Sequence, residues 1–227
     1  MKNKILLMLL VIYSSLSFAQ ECNSYFPQEK GKIFEYKDLN KKGKETGRMT
    51  RKVVDRKIRG TVLSVEIEET HIPKKGNSTS VKYTVQCEEG LAFISMEGYA
   101  MGQPQMGAYD NMSIEIEADN LELPSYAKLG DELGAGKVKA TVSNEGIKMF
   151  TLDFKILDRK VDAFEKLTTN AGTFDCMKIT SHTEMHMMIT VKTTTVEWYA
   201  KDVGVVKSEV YSKSGKLMSS TILESVK

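Results

Sequence analysis

An all-β fold is what this chain of 227 residues predicts, on three observations. Apolar and polar residues alternate with period two in run after run. Turn signals rich in Gly and Asn separate those runs. Thr, Val, Ile and Tyr are plentiful, which suits a pleated, half-buried surface. Hydrophobic residues make up 41% and charged residues 27% of the chain. That supply of apolar side chains excludes a disordered or collagen-like protein.

The strands can be read in order. Leu63, Val65 and Ile67 alternate with Ser64, Glu66 and Glu68. Val81, Tyr83, Val85 and Cys87 share one face, as do Ile114 and Ile116. Phe150, Leu152, Phe154 and Ile156 line one face of a long strand, and Val196 with Trp198 begins another. This is the rhythm of antiparallel strands with one face buried. Turns are expected at Lys41–Lys44, Lys74–Asn77, Glu88–Gly90, Asn144–Gly146, Asn170–Gly172 and Lys213–Lys216. Strands at this spacing suggest a sandwich or barrel. Gly98–Asn111 has no clear period and is read as a long loop with room for a short helix. A second loop is expected over Leu123–Gly136. The Lys-x-Gly-Lys turns at 41–44 and 213–216 echo each other, the simplest reading being two hairpins with the same turn chemistry. No repeat of 20–50 residues marks a solenoid or propeller. No Pro- or Ser-rich linker divides the chain, so residues 20–227 are expected to form a single all-β domain.

Residues 1–19 read as a secretory signal peptide. Lys2 and Lys4 precede the apolar run Ile5–Ile12, and Ser17-Phe18-Ala19 is a small-x-small cleavage site. The run is too short for a spanning helix, and no transmembrane segment is expected elsewhere. Removing it deletes two lysines and no acids, so the formal charge of +2 falls to zero. Glu21 stands before Cys22, where a lipid-attachment signal wants a small residue. A soluble exported chain is therefore expected rather than an anchored one. No sorting extension follows the last strand, which favours the periplasm over release from the cell.

Charge is segregated along the chain. Residues 29–59 hold twelve basic and five acidic groups, and residues 88–132 hold ten acidic and one basic. The simplest expectation is that these segments lie near each other and complement one another across strands. The alternative is two surface patches with different partners. Few aromatics interleave the basic run, and export removes the chain from nucleic acid, so no nucleic-acid partner is expected.

Three cysteines follow the signal, so one internal bridge at most can form. Cys22 and Cys87 are the favoured pair, because a simple meander of the early strands places them at one end of the sheet; pairings with Cys176 remain open. His182-Thr183-Glu184-Met185-His186-Met187-Met188 offers soft ligands suited to copper(I), with His186, Met187 and Met188 as candidates. The plainer reading is Met as flexible filler on a strand. Catalytic patterns fail: no Gly-x-Ser-x-Gly elbow is present, and Gly134-Ala135-Gly136-Lys137 lacks the remainder of a phosphate loop. Glu115 and Glu117 sit on the solvent side of their strand. No enzyme activity and no cofactor are expected.

Several segments together look familiar. Cys22-x-x-Tyr25-Phe26-Pro27 and Gly31-x-x-Phe34-Glu35-Tyr36 open the mature chain. Ala171-Gly172-Thr173-Phe174-x-Cys176 and Trp198-Tyr199-Ala200-x-x-Val203-Gly204 come late. The pattern resembles the TapB-like exported proteins of Bacteroidetes, close to the domain-of-unknown-function group numbered 3108. Asn170 and Met177 depart from it, where Pro and an aromatic are expected. The resemblance implies a single strongly curled antiparallel sheet or incomplete β-barrel in the cell envelope. It also suggests an analogy with periplasmic carriers that hold acyl chains in a half-barrel. The resulting expectation is a non-enzymatic protein that binds an apolar, lipid-like ligand or an envelope protein in its concave face. Phe150, Leu152, Phe154, Trp198, Met101 and Met106 are the candidate lining. The alternatives are an assembly protein acting through strand edges and charged patches, and copper(I) handling.

Overall fold

The computed structural model describes Cys22 and residues 24–97 and 112–227, and every structural statement below concerns those residues. They form fourteen strands. In chain order these are β1 Ile33–Asn40, β2 Glu45–Arg59, β3 Val62–Pro73, β4 Thr79–Glu88, β5 Leu91–Ile94, β6 Ser113–Ala118 and β7 Leu121–Pro124. There follow β8 Glu132–Leu133, β9 Gly136–Asn144, β10 Ile147–Thr169, β11 Gly172–His186, β12 Thr190–Ala200, β13 Gly204–Ser212 and β14 Leu217–Val226. All pairings are antiparallel, in the order β6-β9-β10-β11-β12-β13-β14-β1-β2-β3-β4-β5-β7, with β8 added against β10. The alternating runs all fall within strands, and the six turn signals all fall at strand junctions.

One long-range pairing joins the two halves of the sheet. β14 lies beside β1, with Leu223 opposite Tyr36 and Ile222 opposite Lys37. The two edge strands, β6 and β7, are consecutive in the chain, separated only by Asp119 and Asn120. The chain thus runs beside β9 and then beside β5, so the sheet curls until its edges meet at one corner without closing into a barrel. Bulges at Asp158 (φ 50°) and near Asp162 let the 23-residue β10 follow this curl.

The inside of the curl is the core. Phe34 and Tyr36 of β1, Met49 and Val53 of β2, Val65 and Ile67 of β3, and Val85 of β4 face Met177 and Ile179 of β11 and Tyr199 of β12 in one cluster. A second cluster, Met96, Leu121 and Val138, sits where the edges converge, with Phe154 and Ile156 against it. Arg159 is buried beside it and donates from Nη1 to the carbonyls of Glu122 (2.7 Å) and Gly134 (2.8 Å). Burial lowers its pKa. These two bonds fasten the 121–134 region to β10.

Two expectations need correction. Leu123–Gly136 is not simply a loop: it holds the end of β7, the short β8 and the start of β9. Leu121 and Leu123 bury themselves when they pair with Ile94 and Ala92, and that gain overrides the weak local signal. Nor do the oppositely charged segments complement each other through the basic run. Its lysines and arginines pair with Glu29, Glu45, Asp55, Glu69 and Glu224, none of which lies in 88–132. On β2, Arg48 and Lys57 pair within the strand, with Glu45 and Asp55, and Arg51 pairs across to Glu69 of the neighbouring β3.

The N-terminal segment closes one end of the curl. Tyr25 and Phe26 are buried, and the carbonyl of Ser24 accepts from the amide of Asp202 (3.0 Å). Gly204 makes this contact possible. Its φ is +84°, and an added Cβ would stand 3.3 Å from Pro27 Cδ and 3.7 Å from Phe26 Cα. Gly204→Ala is expected to lower the unfolding free energy by about 1–2 kcal/mol. Urea denaturation checks this, and an unchanged midpoint would show that neither strain nor contact matters there.

Candidate functional site

Charged side chains stand on the apolar phase of three inner strands. Arg51 lies between Met49 and Val53 on β2, Glu69 follows Val65 and Ile67 on β3, and Glu197 precedes Tyr199 on β12. The register sets Arg51 opposite Glu69 and Met49 opposite His71. Arg51 Nε donates to Glu69 Oε2 at 2.5 Å, and His71 Nε2 lies 2.7 Å from Glu69 Oε1. The Arg51 guanidinium also lies over the Tyr36 ring, 5.2 Å from its centroid. Burial alone would raise the Glu69 carboxyl. The Arg51 charge and the His71 hydrogen bond outweigh it and hold Glu69 at about 2. Burial likewise lowers Arg51, but the charge of Glu69 keeps it well above its ordinary value.

On the facing wall, Tyr199 Oη donates to Glu197 Oε2 at 2.6 Å. Burial, then the Glu197 charge, raises the Tyr199 hydroxyl well above its ordinary value. Between the walls is a cavity of about 100 Å³, lined by Arg51, Glu69, Tyr83, Glu197 and Tyr199. Ile94, Met96, Leu121 and Ile156 form its apolar side, and Tyr25, Phe26 and Pro27 cover it. Cys22 is bridged to Cys87, which fixes that cover to β4; the two Cα atoms are 6.2 Å apart. Two wider hollows, about 430 and 330 Å³, open along the ends of β1 and β2. Charges in the wider one are matched locally, Lys37 with Glu224 and Glu35 with Lys227.

The sequence candidates divide by position. Phe150, Leu152 and Phe154 form one half-buried row opposite Val142, Ala140 and Val138 of β9. The row continues through Ile156 to the cavity. Trp198 lies elsewhere: it is on the other side of β12 from Glu197 and Tyr199. There its Nε1 donates to Glu165 (2.6 Å), and Lys178 and Lys207 lie over its ring at 5.2 and 4.9 Å. Met101 and Met106 lie outside the described residues, as does the rest of the 98–111 stretch. His186 Nδ1 is 2.8 Å from Thr190 Oγ1, while Met187 and Met188 stand exposed at the β11–β12 turn. Among the described residues no group of three His, Cys, Asp or Glu side chains could hold a metal ion. Cys176 is a buried free thiol, pushed up to about 11 by burial.

Arg51, Glu69 and Glu197 were not singled out from the sequence. The signal was present, since each continues an apolar alternation with a charge. Arg51 was obscured by the basic run around it.

The model of DUF3108-like proteins matches residues 29–223. The chain belongs to the DUF3108-like family. This upholds the resemblance read from the Ala171–Cys176 and Trp198–Gly204 segments. No curated protein matches the chain. Two solved structures share its fold. One is a candidate exported protein with a YmcC-like fold from Bacteroides fragilis: 24% identity, 91% of this chain and 100% of that one, TM-score 0.76. The other is a candidate lipoprotein from Parabacteroides distasonis: 26% identity, 92% of this chain and 100% of that one, TM-score 0.76. The DUF3108-like fold is thus a curled open sheet, and here its concave side carries the charged cavity.

Proposed function

We propose that this DUF3108-like protein is an exported envelope protein without catalytic activity, which holds a small lipid-like amphiphile on its concave face. One observation carries the reading. The Arg51–Glu69 ion pair and the Glu197 carboxylate line a cavity whose other walls are apolar or aromatic, and the half-buried Phe154, Leu152 and Phe150 lead away from it. An ion pair in such a place adds little net stability, so recognition is a better account of it. About 100 Å³ is space for roughly three waters, a polar head and not a whole chain. The head would meet Arg51, Glu197 and Tyr199, and the apolar part would lie along the Phe row.

Export rests on the Lys2–Ala19 pattern, and it agrees with the descriptions of the two structural relatives. The periplasm is the preferred compartment.

Native mass spectrometry of protein recovered from its own envelope tests the reading. The expected spectrum shows a chain beginning at Gln20 and carrying one bound amphiphile. The double variant Phe150→Ala/Leu152→Ala, which spares Phe154 of the second core cluster, should lose that adduct while its circular dichroism spectrum stays unchanged. A wild-type chain without any adduct, or an adduct that the double variant retains, sinks the assignment.

A further inference from the structure

Strand direction alternates along the sheet, so the β1–β2, β3–β4, β9–β10, β11–β12 and β13–β14 turns all emerge at one end. The covered cavity and the Cys22 segment lie at the other. The β11–β12 turn is an apolar finger. Met188 is 85% and Ile189 73% exposed, and Met185, Met187 and Val191 are also open to solvent. The adjacent β9–β10 tip adds exposed Ile147 and Met149. Water-exposed apolar side chains concentrated at hairpin tips mark a contact surface rather than a core.

On the other flank of this finger the turns are basic. Lys213 and Lys216 lie in β13–β14, Lys41, Lys42 and Lys44 in β1–β2, and Lys74 and Lys75 in β3–β4. All seven are exposed, and none is in an ion pair among the described residues. Residues 41–44, 74–78, 187–189 and 213–216 contain no Asp or Glu, and the single acid in the five turns is Glu145 of β9–β10.

We propose that this end of the sheet docks on an anionic lipid bilayer. Met187, Met188 and Ile189 enter the head-group boundary, where their apolar surface leaves water. The seven lysines meet lipid phosphates, each adding attraction that salt weakens. Charge complementarity selects this partner. A purely apolar protein contact would not need seven unpaired cations around it, and an acidic protein would not need the bare Met-Met-Ile tip. The inference stands apart from the cavity, because the two sites occupy opposite ends of the molecule.

Co-sedimentation of the full mature chain with vesicles tests it. At low salt the chain is expected to pellet with phosphatidylglycerol vesicles and to stay in solution with phosphatidylcholine ones. Added salt should release it. Met188→Ser/Ile189→Ser, which leaves the charge unchanged, should abolish binding. Lys213→Glu/Lys216→Glu should weaken partitioning by at least about 25-fold, from roughly five-fold per lysine lost. Both pairs are exposed, so the melting temperature should be unchanged and serves as the control for folding. A chain that ignores phosphatidylglycerol vesicles overturns the proposal, as does binding that both variants leave intact. Binding lost only in the lysine variant would reduce the surface to electrostatics and overturn the inserted tip.

Discussion

Replacing both Cys22 and Cys87 by Ser is expected to remove about 4 kcal/mol of stability, from the entropy of closing a loop of this length. The bridge spans 65 residues. For a chain of this size the loss corresponds to a drop of roughly 10 °C in melting temperature. The effect should be unevenly spread. The bridge ties the cover of the cavity to the end of β4, so its loss first frees Tyr25 and Phe26 from their buried places. What then holds the segment is the Asp202–Ser24 backbone bond and the Gln28 contacts to Asp202 and the Cys22 carbonyl. Amide exchange should therefore rise at Asp202 before the strands beyond it open. Cys176 cannot substitute: in the double variant it has no cysteine to pair with, and in the reduced wild type its buried thiol, pushed up to about 11, is a poor nucleophile. Thermal scans of the wild type and Cys176→Ser, with and without reductant, check this. Both should fall together on reduction, and unchanged melting points would refute a structural role for the bridge.

The parts of this fold that could be read from the sequence are those set by neighbours along the chain. Period-two alternation places Leu63–Ile67 and Phe150–Ile156 on strands because side-chain direction is a local property. The Gly residues at 43, 90, 146, 172 and 215 mark turns because their positive φ is a local demand. What no local pattern shows is which strand meets which. The β1–β14 pairing closes a separation of some 180 residues, and β7 exists only because the exposed edge of β5 is there to receive it. The ion pairs add a second case: composition showed a basic run and an acidic run, but the basic run pairs with acids close in the chain, as Arg48 with Glu45, or on a neighbouring strand, as Arg51 with Glu69. At the site, the Phe150–Phe154 row was legible as a face. Trp198 was not, since alternation says that it opposes Tyr199 but not which of them looks inward. The charges at Arg51, Glu69 and Glu197 break the local rule on core strands, and such exceptions are where function is expected to lie.

Glu69→Gln is expected to lower stability at neutral pH by about 3 kcal/mol, since it leaves the largely buried Arg51 without its counter-charge. The sign with pH follows from the depressed carboxyl. Folded Glu69 sits at about 2, against an ordinary value of 4.5. Its contribution is therefore complete above about pH 4.5, declines as pH falls, and is gone below about 2. Glu35, Glu209 and Glu224 are also lowered, so both proteins should lose stability in acid. The difference between the two curves isolates Glu69, and it should shrink to near zero as pH falls from 4.5 toward 2. Urea titrations across that range measure it, and a difference independent of pH would mean that the mutation acts through packing alone. The companion cycle separates stability from recognition. Arg51→Met and Glu69→Met should each be costly, because each strands one buried charge. The double variant should recover much of the loss, because a largely buried ion pair replaced by apolar groups costs little. If the double variant is as stable as the wild type and yet comes from the envelope without its adduct, the pair is kept for the ligand. If it is stable and still loaded, the charges are not part of the binding site.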